Sequence, residues 1–244
     1  MITHEVVFWG LCAILSLSHS LLAPYRIQPN RYPSQRLISS TIRKLLILHF
    51  LVQPVQLYLL YPLFEYMGMS SSVQDLPTLP TLLLQLALCF AINETGFYWS
   101  HRALHSDALF KKFHSQHHMY GAPIGIAAEH ASSLESLISN GLPTIAGPLL
   151  LGTHMLTAWI WLALRLALTV DNHCGYALPF SPFHWGAASK INVFASHPLA
   201  HNFHHSHNDG LYGGNSFFWD WLCGTDAAFN TYLDHRSKHT EKEL

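Results

Sequence analysis

Histidine is the residue type whose number and spacing in this sequence point to chemistry. The 244 residues include 19 histidines, against 13 lysines and arginines combined. An H-x-x-H-H pattern should occur only about 0.1 times by chance at this composition, and it occurs twice, beside one H-x-x-x-H pattern. The three clusters are His101-Arg-Ala-Leu-His105, His114-Ser-Gln-His117-His118 and His201-Asn-Phe-His204-His205.

The spacing within the clusters is that of a chelating surface. Side chains three or four positions apart lie on one face of a helix, so each cluster presents two or three imidazoles together. Neutral imidazole binds iron, zinc, copper or nickel. A structural zinc ion needs four ligands, and the clusters contain about twice that number. They therefore predict a centre with two metal ions. The alternative is a set of unrelated histidines at the surface or the membrane interface.

The rest of the composition is typical of a membrane protein. Apolar residues make up 50% of the chain and charged residues only 11%, against about 25% charged in soluble domains. The mean hydropathy is +0.18, which argues against an ordinary cytosolic enzyme. The formal net charge is −1, which argues against nucleic acid as a partner. The four cysteines show no paired spacing, and we interpret them as free thiols.

Long apolar runs predict the elements that position the histidines. Three runs have the length of single membrane spans. The fourth would extend about 55 Å as one helix, against about 30 Å of hydrocarbon, so we expect a hairpin that turns near Gly147, Pro148 and Gly152. The runs are Val6–Leu22, Leu45–Phe64, about Leu76–Trp99 and roughly Leu134–Val170.

Charge predicts which ends of these spans face the cytosol. The connection after the first run contains five basic residues and no acidic residue, and the positive-inside rule places it in the cytosol. His101 then emerges on the cytosolic face, and the hairpin returns the third cluster to the same side. We predict an all-α fold: an integral membrane bundle of about four to five helices with a cytosolic His-rich helical cap. The basic residues are Arg26, Arg31, Arg36, Arg43 and Lys44.

With these motifs the chain resembles the fatty acid hydroxylase / sterol desaturase superfamily of integral membrane diiron enzymes. The resemblance covers roughly residues 90–226. Besides the clusters, it rests on Asp171-Asn-His173-Cys-Gly-Tyr176, Tyr212-Gly-Gly-Asn215 and Trp219-Asp-Trp-Leu-Cys-Gly-Thr225. Two positions depart from the common family pattern, Ala177 in place of aspartate and Ser132-Ser133 in place of His-Pro.

The resemblance implies both a ligand set and a domain organisation. It implies that the clustered histidines bind two iron ions, with zinc as another possible occupant in a purified sample, and that His173 is a ninth ligand. The catalytic domain is expected at residues 76–230, after N-terminal membrane helices at 1–75 and before a polar tail at 231–244.

The function implied is O2-dependent oxidation of a C–H bond in an apolar substrate. Hydroxylation or desaturation of a sterol, a fatty acyl chain or a terpenoid would fit, at the cytosolic face of the endoplasmic reticulum membrane. The sequence shows no dinucleotide-binding glycine motif and no haem domain, so electrons are expected from a partner such as cytochrome b5 with its NAD(P)H reductase. Three rival classes are a family member with non-oxidative chemistry, a zinc-dependent membrane hydrolase and a non-catalytic metal-binding membrane protein.

Several further residues are candidates on position alone. Glu94 shares a helical stripe with His101 and could orient a metal-bound imidazole, as could Asp171 beside His173. His197, four residues before His201, is a candidate tenth ligand, although Pro198 disturbs that stripe.

Four other polar residues are expected to have ordinary structural roles. Two glutamates that flank His130 could support ligands but are expected to face solvent, and two histidines near or within spans are expected to be packing or interface residues. These residues are Glu129, Glu135, His4 and His49.

Overall fold

The computed structural model describes residues 1–179, 181, 193–194 and 196–240, with side chains up to residue 236. The aromatic residues Phe180, Phe183 and Trp185, which predict a segment at the membrane interface, lie outside these residues, as does the end of the tail. The described residues form helices and no strand, which confirms the all-α prediction. The helices are α1 (Ile2–Leu17), α2 (His19–Leu22), α3 (Gln35–Ile47), α4 (Gln53–Tyr66), α5 (Leu79–Leu104), α6 (Asp107–Leu109), α7 (Ser133–Glu135), α8 (Leu142–Leu150), α9 (Met155–Asn172), α10 (Pro198–His207), α11 (Phe218–Cys223) and α12 (Ala227–Thr240).

Two helical stretches are long and apolar enough to cross a membrane. One is Gln35–Tyr66, where a π-helical turn joins α3 to α4, and the other is α5. A third would be α1 together with the segment His19–Tyr25, which bends from it by 69°. Most residues of the first two spans are not buried in the protein, so their apolar side chains face outward, where a bilayer would cover them. The larger predicted count of four to five helices also included the hairpin, whose helices are shorter.

The fourth apolar run folds as the predicted hairpin. The chain leaves α8 at Leu150, turns, and returns through α9. Gly152 in the turn has a φ of +52°, and a Cβ there would lie 2.8 Å from the carbonyl oxygen of Met67, so both conformation and space require glycine. Trp161 Nε1 donates a hydrogen bond of 2.8 Å to the carbonyl of Thr144. This bond fixes the register of the two antiparallel helices.

An apolar core lies where α1, α3 and α9 meet a 3₁₀ turn at Gly125–Glu129. Its buried members come from four separate parts of the chain, so it joins the N-terminal helices to the segment that follows the second histidine cluster. These members are Phe8, Cys12, Leu45, Ile126, Ala128, Leu166 and Val170.

A closed ring of two histidines and two glutamates borders this core. His4 Nε2 lies 3.0 Å from one oxygen of Glu129, and His49 Nε2 lies 2.6 Å from the other. The two Nδ1 atoms each lie 3.1 Å from an oxygen of Glu5. Every ring nitrogen and every carboxylate oxygen therefore has a partner. Three segments contribute to the ring: α1, the π-helical turn Leu48–Val52 and the turn that ends at Glu129.

The ring corrects the expectation that Glu129 faces solvent. Burial alone would raise the pKa of Glu129, but hydrogen bonds and charge from His4 and His49 lower it to about 2. The same contacts correct the interpretation of the two histidines as packing residues. A carboxylate held by two imidazoles can remain ionised inside the protein, whereas a single buried charge could not.

Replacing Glu129 by glutamine should strongly destabilise the protein, because glutamine offers one acceptor oxygen and no charge to two imidazoles. We expect the free energy of unfolding to fall by about 3–5 kcal/mol, seen as a lower melting temperature of the detergent-solubilised protein. Glu65→Gln, on the exposed end of α4, is the matched control and should melt like the wild type. Equal melting temperatures for the two variants would contradict an ion-paired ring.

Candidate metal centre

Nine histidines meet where α5 and α9 end. Residues from distant parts of the chain supply them, and the hairpin brings the third cluster back to the first two. His101 is near the C-terminal end of α5 and His105 directly follows it; His114 ends a π-helical turn; His117 and His118 begin a 3₁₀ turn; His173 directly follows α9; and His201, His204 and His205 lie in α10.

Five of these side chains form one group. Each offers a nitrogen, and these nitrogens lie within 4.8 Å of one another. His114 is central, with its Nε2 atom 3.0 Å from that of His101, 2.9 Å from that of His105 and 3.0 Å from that of His118. The group consists of His101, His105, His114, His118 and His204.

The other four side chains form a second group, in which every residue is buried. His201 Nε2 lies 2.8 Å from that of His173 and 3.2 Å from that of His205, and His173 Nε2 lies 3.4 Å from that of His117. The group consists of His117, His173, His201 and His205. The two groups adjoin, since the ring centroids of His118 and His205 are 4.8 Å apart.

Backbone carbonyls fix which nitrogen of three rings is free. Nδ1 of His101 donates to the carbonyl of Tyr212 at 2.8 Å, Nδ1 of His173 to that of Thr169 at 2.7 Å, and Nδ1 of His204 to that of Gly210 at 2.7 Å. Each Nε2 therefore presents a lone pair to its group. His204 Nε2 is buried without a hydrogen-bond partner.

This arrangement fits a bound cation better than a network of hydrogen bonds. A neutral ring has only one N–H, so the Nε2 of His114 cannot donate to three neighbours at once, and lone pairs that face each other repel. Two nitrogens bound at about 2.1 Å to one ion, at right angles, would lie about 3.0 Å apart. The distances within each group are close to that value. Each group could therefore hold a metal ion.

Burial keeps these imidazoles in the form that binds metal. Desolvation lowers the pKa of His173 to about 4 and that of His118 to about 2, helped for His118 by the charges of nearby histidines. The pKa values of His201, His204 and His205 are lowered for the same reasons. The clustered histidines that lie outside α5 are therefore neutral at physiological pH, and their nitrogen lone pairs are available to a metal ion.

Glu94 supports the site through a loop rather than by contact with an imidazole. Its carboxylate accepts hydrogen bonds from Asn93 Nδ2, from the backbone N–H and the side chain of Asn215, and from the Ser216 hydroxyl, at 2.9 to 3.2 Å. No histidine in the described part of the chain bonds to it. The loop that it holds also carries Tyr212, whose carbonyl fixes the ring of His101.

Asp220 holds the other end of that loop. Its two oxygens accept the backbone N–H groups of Tyr212 and Gly213, each at 2.8 Å, and the hydroxyl of Thr225 at 2.7 Å. Gly213 packs so closely that a Cβ there would lie 2.6 Å from the Asp220 carboxylate. The resemblance had marked this stretch, but its role in orienting His101 is visible only in the fold.

Glu135 is the carboxylate that approaches a clustered histidine. Its Oε1 lies 2.8 Å from Nδ1 of His114, although the contact is off the line of a hydrogen bond. The residue is 3% exposed, and burial raises the pKa of its carboxyl group well above the ordinary value. The expectation that Glu135 faces solvent is therefore wrong. Sequence spacing could not predict this contact, because it depends on where α7 packs beside the histidine cluster.

The two remaining candidates lie at the edge of the centre. Asp171 Oδ2 accepts a hydrogen bond of 3.3 Å from Ser181. His197 lies outside both groups of nitrogens. Its Nδ1 accepts the backbone N–H of Leu199 at 3.0 Å, so it caps the start of α10. Because Pro198 begins α10, His197 does not share the helical stripe of His201.

Comparison with known proteins places the sequence among lipid-modifying membrane enzymes. Residues 86–225 match the family model described as "Fatty acid hydroxylase". Methylsterol monooxygenase 2-2 of Arabidopsis thaliana is 36% identical over 93% of this chain and 84% of its own length. Methylsterol monooxygenase erg25B of Aspergillus fumigatus is 35% identical, over 92% of this chain and 76% of its own length.

A relative with a different printed activity matches equally well. Very-long-chain aldehyde decarbonylase GL1-11 of Oryza sativa subsp. indica is 36% identical over 93% of this chain and 84% of its own length. No solved structure gives a significant match.

Glu135→Gln should weaken metal binding at the group of five histidines. A carboxylate close to the second nitrogen of a metal-bound imidazole orients the ring and makes it a better ligand, and loss of such a partner typically costs 10–100-fold in metal affinity. The measurement is metal content after dialysis against chelators of increasing strength. Glu65→Gln serves as the control. Unchanged retention of metal in the Glu135 variant would show that the close contact with His114 has no such effect.

Proposed function

The chain belongs to the fatty acid hydroxylase family, and we propose that it is a diiron oxygenase of the endoplasmic reticulum membrane that oxidises an unactivated C–H bond of a sterol-like lipid. The convergence of nine neutral imidazoles, seven of them buried and two half-buried, into adjoining groups of five and four is the observation that carries this proposal. The names of the methylsterol monooxygenases favour a methyl group of a sterol as the position attacked.

We assign the nine histidines as ligands of two iron ions, with residues 76–230 as the catalytic domain. Imidazole suits iron, although it suits zinc as well. When bound, the two ions would supply the activation of dioxygen. The assigned ligands are His101, His105, His114, His118 and His204 for one ion and His117, His173, His201 and His205 for the other.

The protein's own contribution is to position the ligands, exclude water and orient the substrate. Carbonyls of Tyr212, Thr169 and Gly210 hold three rings with Nε2 directed inward. Burial of the second group excludes bulk water, which protects reactive species from side reactions. The apolar surfaces of α4 and α5 would let a substrate dissolved in the bilayer approach sideways.

The reaction needs a partner that supplies electrons. Insertion of one oxygen atom into a C–H bond releases the other as water, which consumes two electrons and two protons. A donor such as cytochrome b5, reduced by its NAD(P)H reductase, could deliver the electrons at the cytosolic face.

Removal of an aldehyde carbon is the second candidate, favoured by the similarity to the rice aldehyde decarbonylase. Both candidates can be tested with microsomes that contain the expressed chain. With methylsterols, the primary proposal predicts products that carry one atom of ¹⁸O from ¹⁸O2 and that require a reductant. Conversion of a long-chain aldehyde to a hydrocarbon one carbon shorter would favour the second candidate. Zinc-dependent turnover without oxygen would indicate a hydrolase, and metal binding without any turnover would indicate a non-catalytic protein.

His117→Ala and His118→Ala should each abolish oxidation of the substrate, because each variant removes a ligand from a different group. The expected loss is more than about 100-fold, with normal insertion into the microsomal membrane. Each purified variant should also lose about one of two iron ions. His207→Ala, an exposed histidine outside both groups, should retain both the iron and the activity. Full activity in either ligand variant would contradict the assignment.

A further inference from the structure

Arg165 is a buried cation without a hydrogen-bonding partner. It lies in α9 and is 5% exposed. Its Nε atom is buried with no acceptor, and no hydrogen bond or ion pair joins its guanidinium group to the described residues. An unpaired charge in the interior strongly destabilises a protein. The position of Arg165 therefore needs an explanation.

The nearby carboxylates do not explain why Arg165 is buried. Glu94 and Glu129 are the acidic residues whose charges act on Arg165. Glu94 already accepts four hydrogen bonds from Asn93, Asn215 and Ser216. Glu129 is committed to its two imidazoles. These charges make a buried guanidinium tolerable, but they leave its N–H groups without acceptors.

Arg165 also lies close to the candidate metal centre. Its guanidinium carbon is 5.6 Å from the centroid of the Phe97 ring. That centroid is in turn 5.0 Å from the centroid of the His101 ring. Phe97 thus neighbours both the cation and the group of five histidines.

A second unsatisfied polar group lies at the same depth. The Trp161–Thr144 hydrogen bond sets the register of the hairpin, and four residues further along α9 Arg165 comes level with about residue 140. Ser139 is next to that position, is 2% exposed, and its hydroxyl has no hydrogen-bond partner. Ser139 therefore adds a buried, unpaired hydroxyl to the same hairpin.

We propose that Arg165 binds an oxygen atom of the lipid substrate. A guanidinium has five N–H donors and no acceptor, so its ligand must present an acceptor oxygen: a hydroxyl, a carbonyl or a carboxylate. The oxygen would belong to a lipid, because Arg165 neighbours the centre at which we propose a lipid is oxidised. The inference rests on the proposed function, because it makes Arg165 the anchor that decides which carbon of the substrate lies beside the metal ions.

The test is a binding measurement that does not depend on turnover. The purified protein in nanodiscs is titrated with two matched pairs of probes, 5α-cholestan-3β-ol with 5α-cholestane and hexadecan-1-ol with hexadecane. A hydrogen bond to a charged group should make the oxygen-bearing member of at least one pair bind about ten- to a hundredfold tighter. In Arg165→Met that preference should disappear while binding of the hydrocarbon persists. Arg165→Lys should retain part of it.

Controls separate this role from a structural one. Metal content and melting temperature are measured for every variant, and Arg36→Met, on the exposed part of α3, should behave like the wild type. The inference is overturned if the wild type shows no preference in either pair, or if Arg165→Met keeps the preference. A protein that prefers the oxygen-bearing probe but oxidises no lipid would refute the proposed function alone.

Discussion

The repulsion between imidazole lone pairs that face one another is the constraint on which the rest of the structure depends. The backbone carbonyls that accept Nδ1–H of His101, His173 and His204 commit each Nε2 to the interior. There the nitrogens approach to about 3 Å, for example 2.8 Å between His201 and His173. Nitrogens this close leave no space for a water molecule between them, whereas a metal ion bound to both would remove the repulsion. Metal binding would therefore complete the fold.

Such an arrangement needs rigid support, which comes from fully paired carboxylates. Glu94 and Asp220 hold the two sides of the loop that carries Tyr212, and Glu129 closes the ring with His4 and His49. Separating a buried charge from its partner strongly destabilises a protein, so these contacts hold their residues in one arrangement. The ring also joins α1 to the segment after the second histidine cluster. The N-terminal helices therefore belong to the same structural unit as the clusters.

The features that could be predicted from the sequence are those that depend on the spacing of nearby residues and on the length of apolar runs. Three- and four-residue spacing placed histidines on common faces, and the length of the fourth apolar run required a hairpin, which returns His201 to the side of His101. It could not predict contacts set by tertiary packing. Glu135 beside His114, Glu129 between two imidazoles and the partners of Glu94 all join residues whose separation along the chain carries no periodic signal. His197 shares a four-residue interval with His201, yet Pro198 starts α10 there and removes it from the stripe.

Buried polar groups that are bonded within the protein differ from those that keep free lone pairs or free donors for a ligand. Each carboxylate oxygen of Glu94, Glu129 and Asp220 has a partner within the protein itself, so these residues are structural. The clustered histidines retain free lone pairs, and Arg165 retains free donors. The two unsatisfied sets are complementary in chemistry, since one can accept a metal ion and the other can hold an oxygen atom. Both adjoin Phe97, whose ring centroid is 5.6 Å from the Arg165 guanidinium carbon and 5.0 Å from the centroid of the His101 ring. A lipid held by its oxygen at Arg165 would therefore have its hydrocarbon close to the proposed metal ions.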